Sequence, residues 1–175
     1  MAEETKEPWL NYLALSTVIL AVCATLATFK GGGHSTRSIL RQSQASNAWA
    51  YYQAKSVKQN LYEIRQDSLE MELRAATGRH AEMLKAALAE NAERVAKYDK
   101  EKNEIFKDAK RLEAERDQAG RHGQAFGFAV IFLQVAILLS SVAALMKKKP
   151  LWMLGVAVGA VGLVCFINGF MLFLT

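Results

Sequence analysis

The stretch TFKGGGHSTRS, residues 28–38, gathers the residue types that hold phosphate: Gly31, Gly32 and Gly33, the cations Lys30 and Arg37, His34, and the hydroxyls of Ser35 and Thr36. Glycine amides at a helix N-terminus, flanked by bases, form a ready anion site. A nucleotide loop of the Walker type, however, reads G-x-x-x-x-G-K-[ST] between a strand and a helix. Here the lysine precedes the glycines and a long apolar run precedes both. The stretch therefore reads as a hinge, with Ser35 or Thr36 capping the helix that follows. If it holds phosphate, the anion that suits its position is a lipid headgroup.

The other reactive residue types make no catalytic constellation. His34 has a counterpart in His122, within GRHG at residues 120–123, but two histidines without further ligands are not a metal site. Trp49, Tyr51 and Tyr52 stand beside Lys55 and Lys58, the mixture found in single-strand nucleic-acid platforms. A net charge of +5 is small for such a binder, so these aromatics are assigned to packing between helical arms or between protomers, with no nucleic-acid partner. Cys23 and Cys165 lie inside apolar runs and form no CxxC motif. No nucleophile–base pair, carboxylate dyad or metal cluster stands out, so neither an enzyme nor a cofactor is expected.

What must position these residues is a chain with apolar ends and a polar middle. Residues 9–29, 125–146 and 151–175 are three runs without a charged side chain, while the cations other than Lys6 and Lys147–Lys149 fall within 30–121. Each run exceeds the roughly 20 residues that cross a hydrocarbon core of about 30 Å. The expected fold is an all-α membrane protein with three transmembrane helices. It divides into an N-terminal tail and first span (1–29), an extramembrane insert (30–124) and a second and third span (125–175). The flank MAEETKEP lacks a basic character, which favours a retained anchor over a cleaved signal.

The insert reads as a long antiparallel helical hairpin. Gly78 lies near its midpoint, in Thr77-Gly78-Arg79, and glycine just past a helix end is the usual terminator. Arms at 35–77 and 79–121 are then equal in length. The first carries a three–four repeat at Leu40, Ser43, Asn47, Ala50, Ala54, Val57, Leu61, Ile64, Ser68, Met71 and Ala75. The second carries one at Leu84, Leu88, Asn91, Val95, Tyr98, Lys102, Ile105, Ala109, Leu112, Arg116 and Ala119. Such spacing keeps one seam facing a partner helix, in the manner of a coiled coil. Both seams are diluted by polar residues, so neighbouring hairpins are expected to complete the packing in a homo-oligomer. Residues 35–62 contain no acid, whereas 99–121 mix seven bases with seven acids. The first arm is expected inside the oligomer and the second outside.

Within the apolar runs only amides, hydroxyls and small residues remain. Gln134 and Asn168 fall at similar depth, close enough in height to hydrogen-bond. Gly155-x-x-x-Gly159, followed by Gly162, predicts close helix packing. Ala14, Thr17, Ala21, Ala24 and Thr28 form a small-residue stripe, read as a helix contact before a pore lining. The loop Lys147–Pro150 is strongly basic, which places it and the N-terminus in the cytoplasm and the hairpin in the periplasm. Trp9, Tyr12 and Trp152 suit the interface on that side.

TFKGGGHSTRS, the first apolar run WLNYLALSTVILAVCATLATF and the cluster NAWAYYQAKSVKQNLYE at residues 47–63 resemble a family of small bacterial membrane proteins known only as a domain of unknown function. The resemblance implies a three-helix protein of the bacterial inner membrane and supplies no activity. The residues favour a homo-oligomeric structural scaffold whose partners are itself and the bilayer, including anionic headgroups. The alternatives are a homo-oligomeric channel, with the first span and first arm around its axis, and an accessory or sensor subunit of another membrane complex.

Overall fold

The computed structural model describes residues 8–173. They form three helices and no strand: α1 Pro8–Ala75, α2 Arg79–Met146 and α3 Lys149–Met171. The N-terminal tail before Pro8 and the end of the third apolar run lie outside the described residues. Each helix contains a segment long and apolar enough to cross a membrane.

Both turns follow from local backbone chemistry. Between α1 and α2, Gly78 takes a φ of +63°, a left-handed conformation that costs a residue with a Cβ about 1–2 kcal/mol. Its carbonyl accepts from the amides of Ala81 and Glu82 and so opens α2. Arg74 in the last turn of α1 and Glu82 in the first turn of α2 each complement the helix dipole they meet. Between α2 and α3, Lys147 is left-handed and Lys148 extended, and Pro150 sits in the first turn of α3, where a missing amide hydrogen is harmless.

The glycine stretch corrects a sequence expectation. Gly31–Gly33 lie inside α1, which runs unbroken from the first apolar segment into the first arm, so neither Ser35 nor Thr36 caps a new helix. Gly120 and Gly123 are likewise inside α2. A helical glycine costs roughly 1 kcal/mol relative to alanine, and packing explains two of these. A Cβ on Gly31 would stand 3.0 Å from the Cβ of Phe126, and one on Gly123 would stand 3.0 Å from Ser35 Oγ. Gly32 and Gly33 face open space.

The chain divides into two compact units, one formed by Leu40–Glu115 and the other by the segments flanking it. In the flanking unit, small residues let the helices approach closely. Ala24 and Ala27 of α1, and Phe126, Ala129, Leu133 and Ala136 of α2, form its core. On α3, Gly155, Gly159, Gly162 and Gly169 are buried. Added Cβ atoms there would meet Ala136 O at 3.2 Å, Leu20 Cδ2 at 3.0 Å, Leu133 Cγ at 2.9 Å and the Phe126 ring at 2.7 Å respectively.

In the Leu40–Glu115 unit the two arms of the hairpin meet along one seam. On α2 the seam follows the repeat read from the sequence, with Leu84, Asn91, Ala109 and Leu112 buried. On α1 it does not. The covered positions are Arg41, Ala45, Ala48, Tyr52, Lys55, Gln59 and Tyr62, at three–four spacing, while all eleven positions of the repeat starting at Leu40 are exposed. The reason is pairing chemistry. Lys55 Nζ meets Glu101 Oε2 at 2.5 Å, Arg41 Nε meets Glu115 Oε2 at 2.8 Å, and Asn91 Nδ2 donates to the Tyr62 carbonyl at 2.7 Å. The seam selects the face of α1 that satisfies α2's polar groups, although the opposite face is the more apolar.

Asn91→Ala removes a buried side-chain amide that ties α2 to the backbone of α1. We expect a loss of about 1–2 kcal/mol, read as an earlier thermal transition of the detergent-extracted chain by circular dichroism.

Candidate functional site

Two clusters concentrate the polar chemistry, one in each unit. In the flanking unit α1 carries Lys30, His34 and Arg37 along one side, around a groove of about 590 Å³ also lined by Thr28, Phe29, Gly32 and Gly33. The two glycines leave the helix backbone uncovered there. His34 stacks on His122 with ring centroids 4.7 Å apart, and on Phe126 at 5.8 Å. The pair thus joins α1 to α2. Nδ1 of His122 donates to the Gly169 carbonyl at 2.8 Å, since a carbonyl only accepts, and this brings in α3. Ser35 and Thr36 are exposed.

Burial, then the charge of His122, Arg37 and Lys30, hold His34 below its ordinary value of 6.5. The folded chain therefore binds fewer protons at this site than the unfolded chain in the window just under pH 6.5. Stability falls as the pH drops through that window and levels off below the folded value. We expect thermal stability to decline on acidification from pH 7.5 to 5.5. His34→Gln should flatten that decline; an unchanged slope in the variant overturns the assignment.

In the Leu40–Glu115 unit, Trp49 donates from Nε1 to Glu113 at 2.9 Å and packs edge-on against Tyr52 and Phe106. Lys110 and Lys102 of α2 lie over Trp49 and Tyr52 at 5.4 and 5.5 Å. Tyr51 projects to the exposed side, 5.2 Å from the Lys55 ammonium. The Lys55–Glu101 hydrogen bond raises the lysine and lowers the carboxyl from their ordinary values. Two rings of this aromatic–basic cluster are thereby engaged within the hairpin. A groove of about 640 Å³ opens beside it, bordered by Arg41, Tyr51, Asp108 and Arg111.

The remaining sequence candidates scatter. Ala24 is buried and Thr17 and Ala21 are half-buried, but Ala14 and Thr28 are exposed. The Thr17 and Thr28 hydroxyls donate to the carbonyls of Leu13 and Ala24 in their own helix. Gln134 lies on an exposed side of α2, whereas Asn168 is buried in α3. Gly155 and Gly159 do pack closely. Sequence reading missed Phe126, the ring that Gly31, His34 and Gly169 all meet. An aromatic inside an apolar run carries no local signal of that role. Among the described residues no group of three His, Cys, Asp or Glu side chains is placed to hold a metal ion.

Helix order, glycine-mediated packing and the polar hairpin define an all-helical protein with three long apolar segments, compatible with a membrane protein. The chain belongs to the family described as a domain of unknown function, DUF4337, whose model matches residues 9–172. No curated protein and no solved structure matches it.

Proposed function

We propose that this protein is a non-enzymatic, homo-oligomeric scaffold of the bacterial inner membrane that assembles through its helical hairpin. The observation behind this reading is the thinness of the hairpin's core. Over Leu40–Glu115 the buried apolar side chains are Ala45, Leu84, Ala109 and Leu112. Each fully buried large apolar side chain contributes about 1.5–3 kcal/mol, which is little against the ordering of two long arms. Packing against further hairpins supplies the missing burial. In this reading the three apolar segments span the membrane and the Lys147–Pro150 loop faces the cytoplasm, with the hairpin in the periplasm. Lys30 and Arg37 then stand at headgroup level, where their groove suits an anionic lipid phosphate.

Light scattering of the detergent-extracted full chain tests the assembly. We expect a protein mass that is a multiple of 19.4 kDa; a single-chain mass overturns the reading. Labelling of Gly78→Cys from outside intact cells tests the topology. A pore around the first span draws less support, because two hydroxyls of its small stripe are already bonded to their own helix.

A further inference from the structure

We infer that the exposed stripe of α1 from Leu40 to Ala75 is the surface on which a second copy of this chain docks, in parallel and in register. The inference rests on the oligomeric reading above and names the face that carries it. The stripe repeats at alternating intervals of three and four residues over eleven positions, all exposed and none charged. Its large members, Leu40, Val57, Leu61, Ile64 and Met71, are 55–63% exposed. The hairpin's own seam uses a different face of the same helix, so among the described residues this repeat meets no partner.

The spacing identifies the occupant's shape. Only another helix reads a three–four repeat, because only a helix keeps one such seam in contact along its length. A bilayer would demand an apolar circumference, yet cations and carboxylates such as Arg41, Lys58, Glu63 and Arg65 fill the turns between stripe positions. The composition points to self-pairing. In a parallel pair each stripe residue meets its own counterpart, so apolar faces apolar, and Asn47 faces Asn47 with an amide that both donates and accepts. A single such asparagine in an apolar seam fixes register and partner number. The stripe runs about 50 Å along the helix, a length over which a partner helix can reach the roughly 800 Å² per partner of a standard specific interface. Among the described residues the second arm offers no comparable surface between Asp99 and Arg121, where bases and acids are closely interleaved.

The test uses the full chain in detergent, with Leu61→Glu/Ile64→Glu compared with Met83→Glu, an exposed position on α2. We expect the double variant to fall to single-chain mass while retaining wild-type helical circular dichroism, and Met83→Glu to keep the oligomer. An oligomeric double variant overturns the stripe and leaves the oligomeric reading intact. A monomeric wild-type chain overturns both. Because a charged variant can fail to fold, Leu61→Cys in a Cys23→Ala/Cys165→Ala background supplies a second measurement. Oxidation should give a product of twice the chain mass, and Met83→Cys should not. A cross-link of Leu61→Cys to a product of any other mass overturns the second copy as occupant.

Discussion

Phe126→Ala should be among the most damaging single substitutions in the flanking unit, with a loss of about 3–5 kcal/mol. Phe126 is fully buried and stands where three helices meet. Its Cβ faces Gly31 of α1, and its ring stacks with His34 and lies edge-on to Phe166 and Phe170 of α3, at 6.0 and 5.0 Å. Between closely packed apolar helices the ring's contacts with its neighbours carry the stabilisation. A ring removed from such a site leaves a void that glycine neighbours cannot fill. The expected result is an earlier and broader thermal transition of the detergent-extracted protein. A transition within a degree or two of wild type would show that the three helices do not depend on this ring.

Gly169→Leu should be comparably severe, from the opposite cause. A Cβ at position 169 would stand 2.7 Å from two ring atoms of Phe126, closer than carbon atoms approach without displacement. Overpacking of this kind costs about 1–3 kcal/mol and more where the neighbour is held. Phe126 is held by Phe166 and Phe170 on one side and Gly31 on the other. The two changes should couple. In Phe126→Ala/Gly169→Leu the new side chain enters the space the ring vacates, so the double variant should lose at least about 1 kcal/mol less than the sum of the single losses. Simple additivity would mean that the ring and the glycine are not packed together. His122 reports on the same contact, because its Nδ1 hydrogen bond ends on the Gly169 carbonyl.

Much of the architecture is legible in the sequence, and the exceptions share a cause. The three apolar segments follow from charge distribution, and the turn residues Gly78 and Pro150 announce themselves by their backbone limits. The seam of α2 could be read from spacing because Leu84, Leu88, Val95, Ile105, Ala109 and Leu112 recur on one side, even with Lys102 and Arg116 among them. α1 carries two three–four stripes, and hydrophobicity alone points to the wrong one as the intramolecular seam. The covered stripe contains Lys55 and Gln59, which a count of apolar residues rejects, and the partners opposite it, Glu101 for Lys55, Glu115 for Arg41 and Asn91 for the Tyr62 carbonyl, make that face the better one. The glycine run was misread for the same reason. Gly31 answers to Phe126, a residue far along the chain, and nothing in TFKGGGHSTRS itself distinguishes a packing glycine from a hinge. Local chemistry specifies turns; complementarity between distant segments decides which face is inside.

The paired arms also constrain how such a chain can drift in evolution. One residue inserted into either arm would rotate every later side chain by about 100° and carry Lys55, Asn91 or Leu112 off the seam. A tolerated length change must therefore arrive as a whole repeat of about seven residues, and as a matched addition on both sides of Gly78, so that donors and acceptors stay opposite one another. Relatives with longer or shorter hairpins should differ in paired steps, with the apex glycine always at the centre.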